Sequence, residues 1–445
     1  MSTPSVLAEP PKQTPVLDQP APTGARGIKT PAATPAPAGV AQRLLSLDTY
    51  RGLIMVTLAF NGFGLAATAR AHLEKEGPST FWQHVYFHSE HAEWTGGGYW
   101  DMIQPSFMFM VGVAMAFSYA KRQRLGQSRG QMLRHAIVRS LILILLGIAL
   151  AYWRNLGAFF DPDWKRYGPW GLMNVLTQIG LGYTFLFLLW GRSFRVQAGA
   201  AAAILVGTWL LYVAWPGTGI DIAKGAPELK ITQKWAAEHL TGIAPAWHKS
   251  ANAGQDIDLV WLNALPQVVE YKVNTGGYQT INFIPSLATM LFGLMCGELL
   301  RSGSSSRRKL IVLFLGGLGG IAAGVLLDQT GACPLVKRIW TPSWALYSTG
   351  ICCLILGSFY GIIDVLGYRR WTFFLVVVGM NSIAIYAMSM VLKDVVVWPL
   401  KHYYGADVFK DWAGLYAPML QYTLIGLVFW LACYVMYRFK IFVRI

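Results

Sequence analysis

The chain has 445 residues, of which 54% are hydrophobic and only 13% are charged, against roughly 25% charged residues in an ordinary soluble domain. This composition excludes a soluble enzyme and indicates a polytopic membrane protein. The 37 Lys and Arg residues outnumber the 22 Asp and Glu residues, which gives a net charge of +15. In a membrane protein such an excess orients the loops, so the charge requires no nucleic-acid partner.

Residues 1–42 carry nine of the 22 prolines, together with many Ala, Thr and Gln residues. This composition predicts a disordered cytoplasmic tail. The tail contains no apolar stretch of signal-peptide length, so we expect a multi-pass protein of the bacterial plasma membrane.

The remainder, residues 43–445, is predicted to form one all-α transmembrane domain, because it contains apolar segments of membrane-spanning length. We expect about ten helices, at about 52–70, 102–120, 137–153, 171–190, 197–215, 280–300, 309–328, 343–364, 371–392 and 417–437. Lys and Arg concentrate in alternate connections, so the positive-inside rule predicts that both termini are cytoplasmic. Two long connections, 71–101 and 216–279, are then predicted on the outer side.

Amide side chains within the apolar segments are candidates for a functional site, because polar groups are costly in lipid unless they are paired or face a cavity. Asn61 is flanked by Gly62 and by Gly64 two residues further on, which would let a ligand or another backbone come close. A hydrogen bond between helices would explain Asn61 equally well. Further amides predict a polar cavity shared by several helices: Asn174, Gln178, Asn282 and Asn381.

The 71–101 connection contains four histidines and three tryptophans, so we expect an ordered surface there. Imidazole suits a general base or an acyl acceptor near neutral pH. The spacing of His84, His88 and His91 would also permit a metal site with Glu90 or Glu93, although a solvated histidine is the commoner case. The five cysteines form no CxxC pair and predict neither a zinc site nor a disulfide framework. We expect no metal.

Gly316, Gly320 and Gly324 form a small-residue packing face rather than a nucleotide loop, because no strand precedes them. Such a face serves packing within the chain or a homodimer. The basic residues at the cytoplasmic ends of the helices are mainly topology determinants. A guanidinium also suits bidentate contact with phosphate.

Four sequence elements occur in order between residues 45 and 390. They are LSLDTYRG at 45–52, HAEWTG at 91–96 with DMIQPSFMFMVG at 101–112, PLVKRIWTPS at 334–343 and GMNSIAIY at 379–386. Their combination resembles the heparan-alpha-glucosaminide N-acetyltransferase family, which consists of transmembrane acyltransferases.

The resemblance implies that acetyl-CoA binds from the cytoplasmic side as the acetyl donor and that an amino sugar or glycan accepts the acetyl group on the outer side. It implies that His91 is the active histidine and Asn61 the active-site asparagine. Imidazole serves either as base or as transient acetyl carrier, and an amide suits the oxyanion. We expect the coenzyme to contact Arg51, Arg134 and Arg139. We expect the acceptor to contact Trp94, Asp101 and Asn381.

Asn61 and His91 are 30 positions apart, which is more than we expect for the lysosomal members of the family. Residues 71–86 are therefore interpreted as an insertion that shapes a different acceptor pocket. Two other classes remain open: a transporter of small molecules or lipid-linked sugars that shares the fold, and a structural or sensory membrane protein. A transporter often has paired broken helices in its two halves, and the sequence shows no such pair.

Overall fold

A computed structural model describes residues 44–153, 170–216, 222, 225–229, 231–266 and 270–443. The regular structure in these ranges is helical, and the only β-contacts in them are two isolated bridges. The predicted all-α helical membrane fold is therefore confirmed. The predicted disordered tail, residues 1–42, lies outside the described residues.

The helices divide into a first half, a middle section and a second half. The first half contains α1 (Leu45–Ala59), α2 (Leu65–Glu76), α3 (Thr80–Ser89), α4 (Ile103–Arg124), α5 (Arg129–Ala151), α6 (Val175–Leu189) and α7 (Phe194–Ala214). The middle section contains the short α8 (Gln233–His239) and α9 (Ala253–Asn263). The second half contains α10 (Phe283–Arg301), α11 (Ser306–Gln329), α12 (Pro342–Phe359), α13 (Phe373–Gly379), α14 (Ser382–Val391), α15 (Lys393–Tyr404), α16 (Val408–Ala413) and α17 (Ala417–Arg438).

By length and composition, the described residues contain seven helices able to cross a membrane, or up to nine if each of two bent pairs is one span. Each of the ten predicted segments coincides with a helix or a bent pair, and this criterion counts up to nine of them as spans, so the exact number stays a prediction. The difference is α6, whose 15 residues extend only about 22 Å across a hydrocarbon layer of about 30 Å.

The two bent pairs correct the expectation that broken helices are absent. One pair is α1 with Asn61–Glu76, bent by 47°, and the other is Arg370–Gly379 with α14, bent by 66°. At the first bend the φ angles of the four residues from Asn61 to Gly64 lie between 48° and 69°, a left-handed turn that only glycine adopts readily. A Cβ on Gly64 would lie 2.4 Å from the Pro418 carbonyl oxygen, so close approach by α17 fixes the bend.

Glycines let the central helices cross at backbone distance. A Cβ on Gly112 of α4 would lie 1.8 Å from the Met290 carbonyl oxygen of α10, and one on Gly293 of α10 would lie 2.0 Å from that of Phe109. The small-residue face predicted on α11 packs against α12 of the same chain. It consists of Gly317, Gly320 and Gly324, whereas Gly316 has no such neighbour within 4 Å.

A second apolar core lies apart from the bundle core, in the connections predicted on the outer side. We call this region the outer cap; it comprises residues 90–99, the described part of 216–279, and residues 331–341. Its centre includes Trp94, Trp247 and Ile339, which are almost fully buried. The Trp94 indole N–H donates to the Trp247 carbonyl oxygen at 3.0 Å. The aromatic residues therefore form the ordered region that was predicted, and its place on the outer side stays a prediction.

A buried carboxylate ties the outer cap to the start of α10. Asp258 of α9 is fully buried and accepts a hydrogen bond from the Thr280 backbone N–H at 2.9 Å. Burial raises the pKa of the Asp258 carboxyl to about 6, although the Thr280 bond opposes the shift. The adjacent Gln279 accepts from the Tyr212 hydroxyl at the end of α7. Polar contacts therefore fix the cap on two spanning helices.

Candidate active site

His91 follows a helical hairpin formed by α2 and α3. The His72 ring stacks on Trp82 at 4.2 Å, and the Arg70 guanidinium donates to the Tyr86 hydroxyl at 2.9 Å. These contacts hold together the two helices that contain residues 71–86, which the sequence predicted as an insertion. The hairpin takes up most of the 30 positions between Asn61 and His91.

Asp101 holds His91 in one orientation. The His91 Nδ1 atom lies 2.7 Å from Asp101 Oδ1, and the second carboxylate oxygen accepts from the backbone N–H groups of Ala92 (3.1 Å) and Gly98 (3.2 Å). The Asp101 side chain is 1% exposed, whereas that of His91 is 37% exposed. A proton on Nδ1 would be donated to this carboxylate oxygen and would leave Nε2 with its lone pair.

Lys337 completes a three-residue group with His91 and Asp101. Its Nζ atom lies 3.0 Å from Asp101 Oδ1 and 3.0 Å from His91 Nδ1, and its side chain is only 6% exposed. Burial lowers the pKa of the Lys337 ammonium, and the Asp101 carboxylate opposes that shift. A buried charge of each sign is therefore paired directly beside the imidazole.

The element at 334–343 supplies Lys337 and also holds the histidine loop. The Arg338 guanidinium donates to the Ala92 carbonyl oxygen at 3.1 Å and to the Gly276 carbonyl oxygen at 2.8 Å. The Gly96 N–H donates to the Leu335 carbonyl oxygen at 2.8 Å. Two sequence elements that are far apart in the chain thus form one structural unit.

Trp100 connects the histidine with the bend at Asn61. Its ring centroid lies 6.1 Å from that of His91, and a Cβ added to Gly62 would lie 3.1 Å from the same ring. Asn61 Oδ1 accepts a hydrogen bond from the Lys393 ammonium at 3.2 Å. The Trp100 indole therefore neighbours both the His91 ring and the backbone at Gly62, next to Asn61.

The three predicted acceptor-binding residues lie in different surroundings. Asp101 belongs to the group just described. Trp94 is buried in the outer cap, where its indole N–H is already bonded. Asn381, at the second bend, bonds the backbone of the C-terminal segment at Ile441 and Val443. A role in acceptor binding stays a prediction for all three.

The three predicted coenzyme-binding arginines do not form one cluster through any hydrogen bond or ion pair in the described ranges. Arg51 pairs with Asp48 one turn earlier on α1. The Arg139 guanidinium lies over the Tyr183 ring at 4.9 Å, and Arg134 is exposed. Their coenzyme contacts stay predictions.

The sequence analysis did not single out a basic cluster where α4 meets α5. Arg122 Nη2 lies 2.5 Å from His135 Nε2, and the Tyr119 hydroxyl lies 3.2 Å from His135 Nδ1. Arg139 is four residues after His135, on the same face of α5. These side chains could have been found by combining the helical period with the positive-inside pattern.

The other predicted amides, Asn174, Gln178 and Asn282, contact backbone groups, and the shared polar cavity stays a prediction. Asn174 caps α6 by accepting from the N–H groups of Leu176 and Thr177. Gln178 and Asn282 donate to backbone carbonyl groups. The described part of the chain also contains no group of three or more His, Cys, Asp or Glu side chains placed to hold a metal.

Comparison with known proteins gives two similar relatives. No protein-family model matches the chain. The chain is 22% identical to heparan-alpha-glucosaminide N-acetyltransferase of Homo sapiens over 433 residues, and 21% identical to the protein of the same name of Mus musculus over 432 residues.

Each match covers 91% of this chain but only 60% or 61% of the relative, so the chain spans about three fifths of the length of the curated relatives it matches. The similarity extends over nearly all of the chain and supports a distant family relationship. It agrees with the resemblance that the four sequence elements indicated.

Proposed function

We propose that the protein is a transmembrane acetyltransferase that moves the acetyl group of cytoplasmic acetyl-CoA to an amino sugar or glycan on the outer side. The observation that carries the proposal is the buried Asp101–Lys337 pair that orients a half-exposed His91. A histidine that only packs has no need of a buried charge pair beside it, because burying two charges is costly.

The geometry suits attack by an amine on a thioester. His91 Nε2 accepts the proton that the acceptor amine loses as its nitrogen bonds the acetyl carbon. The carbon–sulfur bond then breaks, and the protonated imidazole returns the proton to the sulfur. Asp101 stabilises the imidazolium through Nδ1. Transfer through an acetyl-histidine would use the same Nε2 atom.

Asn61 is proposed to donate its amide N–H to the oxyanion that forms on the acetyl carbonyl oxygen. Such a donor acts strongly because it is held in place before the reaction and shielded from water. Trp100, packed between the bend and His91, supplies an apolar wall to the space between them. We propose that this space receives the thioester.

The donor is proposed to approach from the opposite end of the bundle. Arg122 and His135 lie near the ends of α4 and α5 that the predicted topology places in the cytoplasm, and Arg139 lies one turn further along α5. Guanidinium groups suit the phosphates of a coenzyme. The pantetheine arm would then extend through the bundle to His91.

A transporter is the alternative, and the two bent spans are the observation that favours it, since transporters often bind substrate at broken helices. Both bends contain an asparagine, Asn61 and Asn381. Transport alone, however, requires no oriented imidazole. The relatives named above also carry the name of an acetyltransferase, which supports transfer.

The decisive experiment measures acetyl-CoA turnover and glucosamine acetylation by the detergent-purified protein. We expect His91→Ala to abolish transfer without loss of folding. The matched control is His84→Ala, because His84 is an exposed histidine on α3 of the same hairpin. Full activity of His91→Ala would exclude the proposed role of the histidine. Absence of acetyl-CoA turnover in the wild-type protein would exclude the enzyme and leave transport.

A further inference from the structure

Lys393, the first residue of α15, contacts the proposed oxyanion donor from a distant part of the chain. Its Nζ atom lies 3.2 Å from Asn61 Oδ1, across a sequence separation of 332 residues. Lys393 is half-buried. Its only long-range hydrogen bond in the described residues is the one to Asn61.

The contact determines which way the Asn61 amide faces. A lysine ammonium has three donors and no acceptor, so it can bond only the amide oxygen and never the amide nitrogen. With Oδ1 held by Lys393, the Nδ2 group points away from the ammonium with its donors available. A positive charge on the oxygen side also polarises the amide and strengthens those donors.

The backbone that carries Asn61 is held as well. The left-handed turn at residues 61–64 is fixed because α17 reaches the backbone at Gly64. The backbone thus sets the position of the amide, and Lys393 sets its rotation. Burial lowers the pKa of the Lys393 ammonium, and Asp394 opposes the shift.

We infer that Lys393 is a positioning residue of the acetyl-transfer site, which acts by fixing the Asn61 amide so that its N–H groups face the oxyanion. This inference rests on the proposed function. It adds a residue outside the four sequence elements, on a helix that the sequence analysis left without a role.

The test compares kcat for Lys393→Met, Asn61→Ala and the double variant at saturating acetyl-CoA and acceptor. We expect Lys393→Met to lower kcat by about 10- to 100-fold, the size of one charged hydrogen bond. Asn61→Ala should lower kcat by about 10²- to 10³-fold. The double variant should be no slower than Asn61→Ala, because Lys393 acts only through that amide.

Two further variants separate positioning from general structure. Lys393→Arg keeps a charged donor and should recover most of the lost kcat, with the KM for acetyl-CoA unchanged within about twofold. Lys401→Met is the matched control, because Lys401 is an exposed lysine on the same helix, and it should behave as wild type. If Lys393→Met does not fold, Lys393→Gln, which keeps a polar side chain without the charge, takes its place with the same expected loss.

Wild-type kcat in Lys393→Met, or losses that multiply in the double variant, would overturn the inference while leaving the enzyme in place. If the wild-type protein turns over no acetyl-CoA, or His91→Ala retains full transfer, the proposed function fails instead. The two failures are therefore distinguishable.

Discussion

Asp101 receives more polar contacts than any other residue of the candidate site. One oxygen faces His91 and Lys337, and the other accepts from the backbone N–H groups of Ala92 and Gly98. A carboxylate suits this position because it only accepts hydrogen bonds, and all four neighbours can donate. The side chain therefore links the charge balance of the site to the orientation of the imidazole.

The variant Asp101→Asn tests that link. An asparagine has one amide nitrogen, which donates hydrogen bonds, where the aspartate has an oxygen that accepts them. Wherever that nitrogen lies, it would face groups that also donate, so the side chain would no longer hold the His91 ring in place. We expect kcat for acetyl transfer to fall by about 10²- to 10⁴-fold. Steady-state kinetics beside the exposed-site control Asp411→Asn would measure the effect. Near wild-type turnover would show that the carboxylate does not orient the base.

Sequence reasoning reached His91, Asn61 and Asp101, because each lies in a recognisable element or in an unusual polar position within an apolar segment. It did not single out Lys337 as a site residue, although it quoted the segment that contains it. A lysine in a short connection looks like a topology signal, and only the fold shows that it is buried against a carboxylate. The same holds for Lys393, whose partner is 332 residues away.

At the scale of the helices, backbone contact between α4 and α10 holds the centre of the bundle. The crossing depends on glycines such as Gly112 and Gly293, because a side chain at either position would clash with the backbone of the other helix. The sequence showed the apolar segments and their order, since hydropathy suffices for that. It did not show the two bends, because a left-handed turn at Asn61 is selected by contact with α17 rather than by local sequence.

Gly293→Ala should destabilise the protein, because the added methyl group would lie 2.0 Å from the Phe109 carbonyl oxygen. Overpacking of this kind costs about 1–3 kcal/mol. Gly319→Ala on α11 is the matched control, since its Cβ would meet nothing within 4 Å. Alanine favours a helix over glycine by up to about 1 kcal/mol, so the control should be neutral or slightly stabilising.

Thermal unfolding of the two variants in the same detergent would measure the difference. Equal melting temperatures for Gly293→Ala and Gly319→Ala would contradict the close crossing of α4 and α10.

The outer cap should show a pH-dependent stability that Asp258 controls. Because burial raises the pKa of Asp258 to about 6, above an ordinary value of about 4, the folded state binds this proton more tightly than the unfolded state. The stabilising contribution is complete below about pH 4 and is lost as the pH rises through about 6.

Asp258→Asn should remove this dependence while an amide oxygen still accepts from the Thr280 N–H. Between about pH 4 and pH 7 the wild-type protein should lose stability relative to the variant, by on the order of 2 kcal/mol. Melting temperatures of both proteins measured across this range would test it. Parallel curves would show that the carboxyl titrates alike in the folded and unfolded states.

At the scale of the whole molecule, the proposed reaction requires two faces with different roles. The basic ends of the helices are predicted to face the cytoplasm. The outer cap, which contains His91, is predicted to face the opposite side of the membrane. The all-α fold and the ordered cap followed from composition and aromatic content. The exact number of spanning helices stays a prediction, because hydropathy alone does not distinguish a full span from the short α6.

Cysteine labelling in intact cells would test the orientation. Lys234→Cys introduces a thiol on the cap at an 86% exposed position, and Gln123→Cys introduces one at the exposed end of α4. An impermeant maleimide should modify the first and not the second until the membrane is opened. The native cysteines are buried or half-buried, so background labelling should be low. The reverse pattern would invert the predicted topology.

The pairing of Asp101 with Lys337 also has a consequence for synthesis of the chain. The two residues are separated by 236 positions, so at typical ribosomal rates roughly 12–50 s pass between the emergence of one and of the other. Throughout that interval the carboxylate has no lysine partner, while α4 to α11 enter the membrane. A nascent chain arrested before Lys337 would therefore possess most of its helices but lack the Asp101–Lys337 pair.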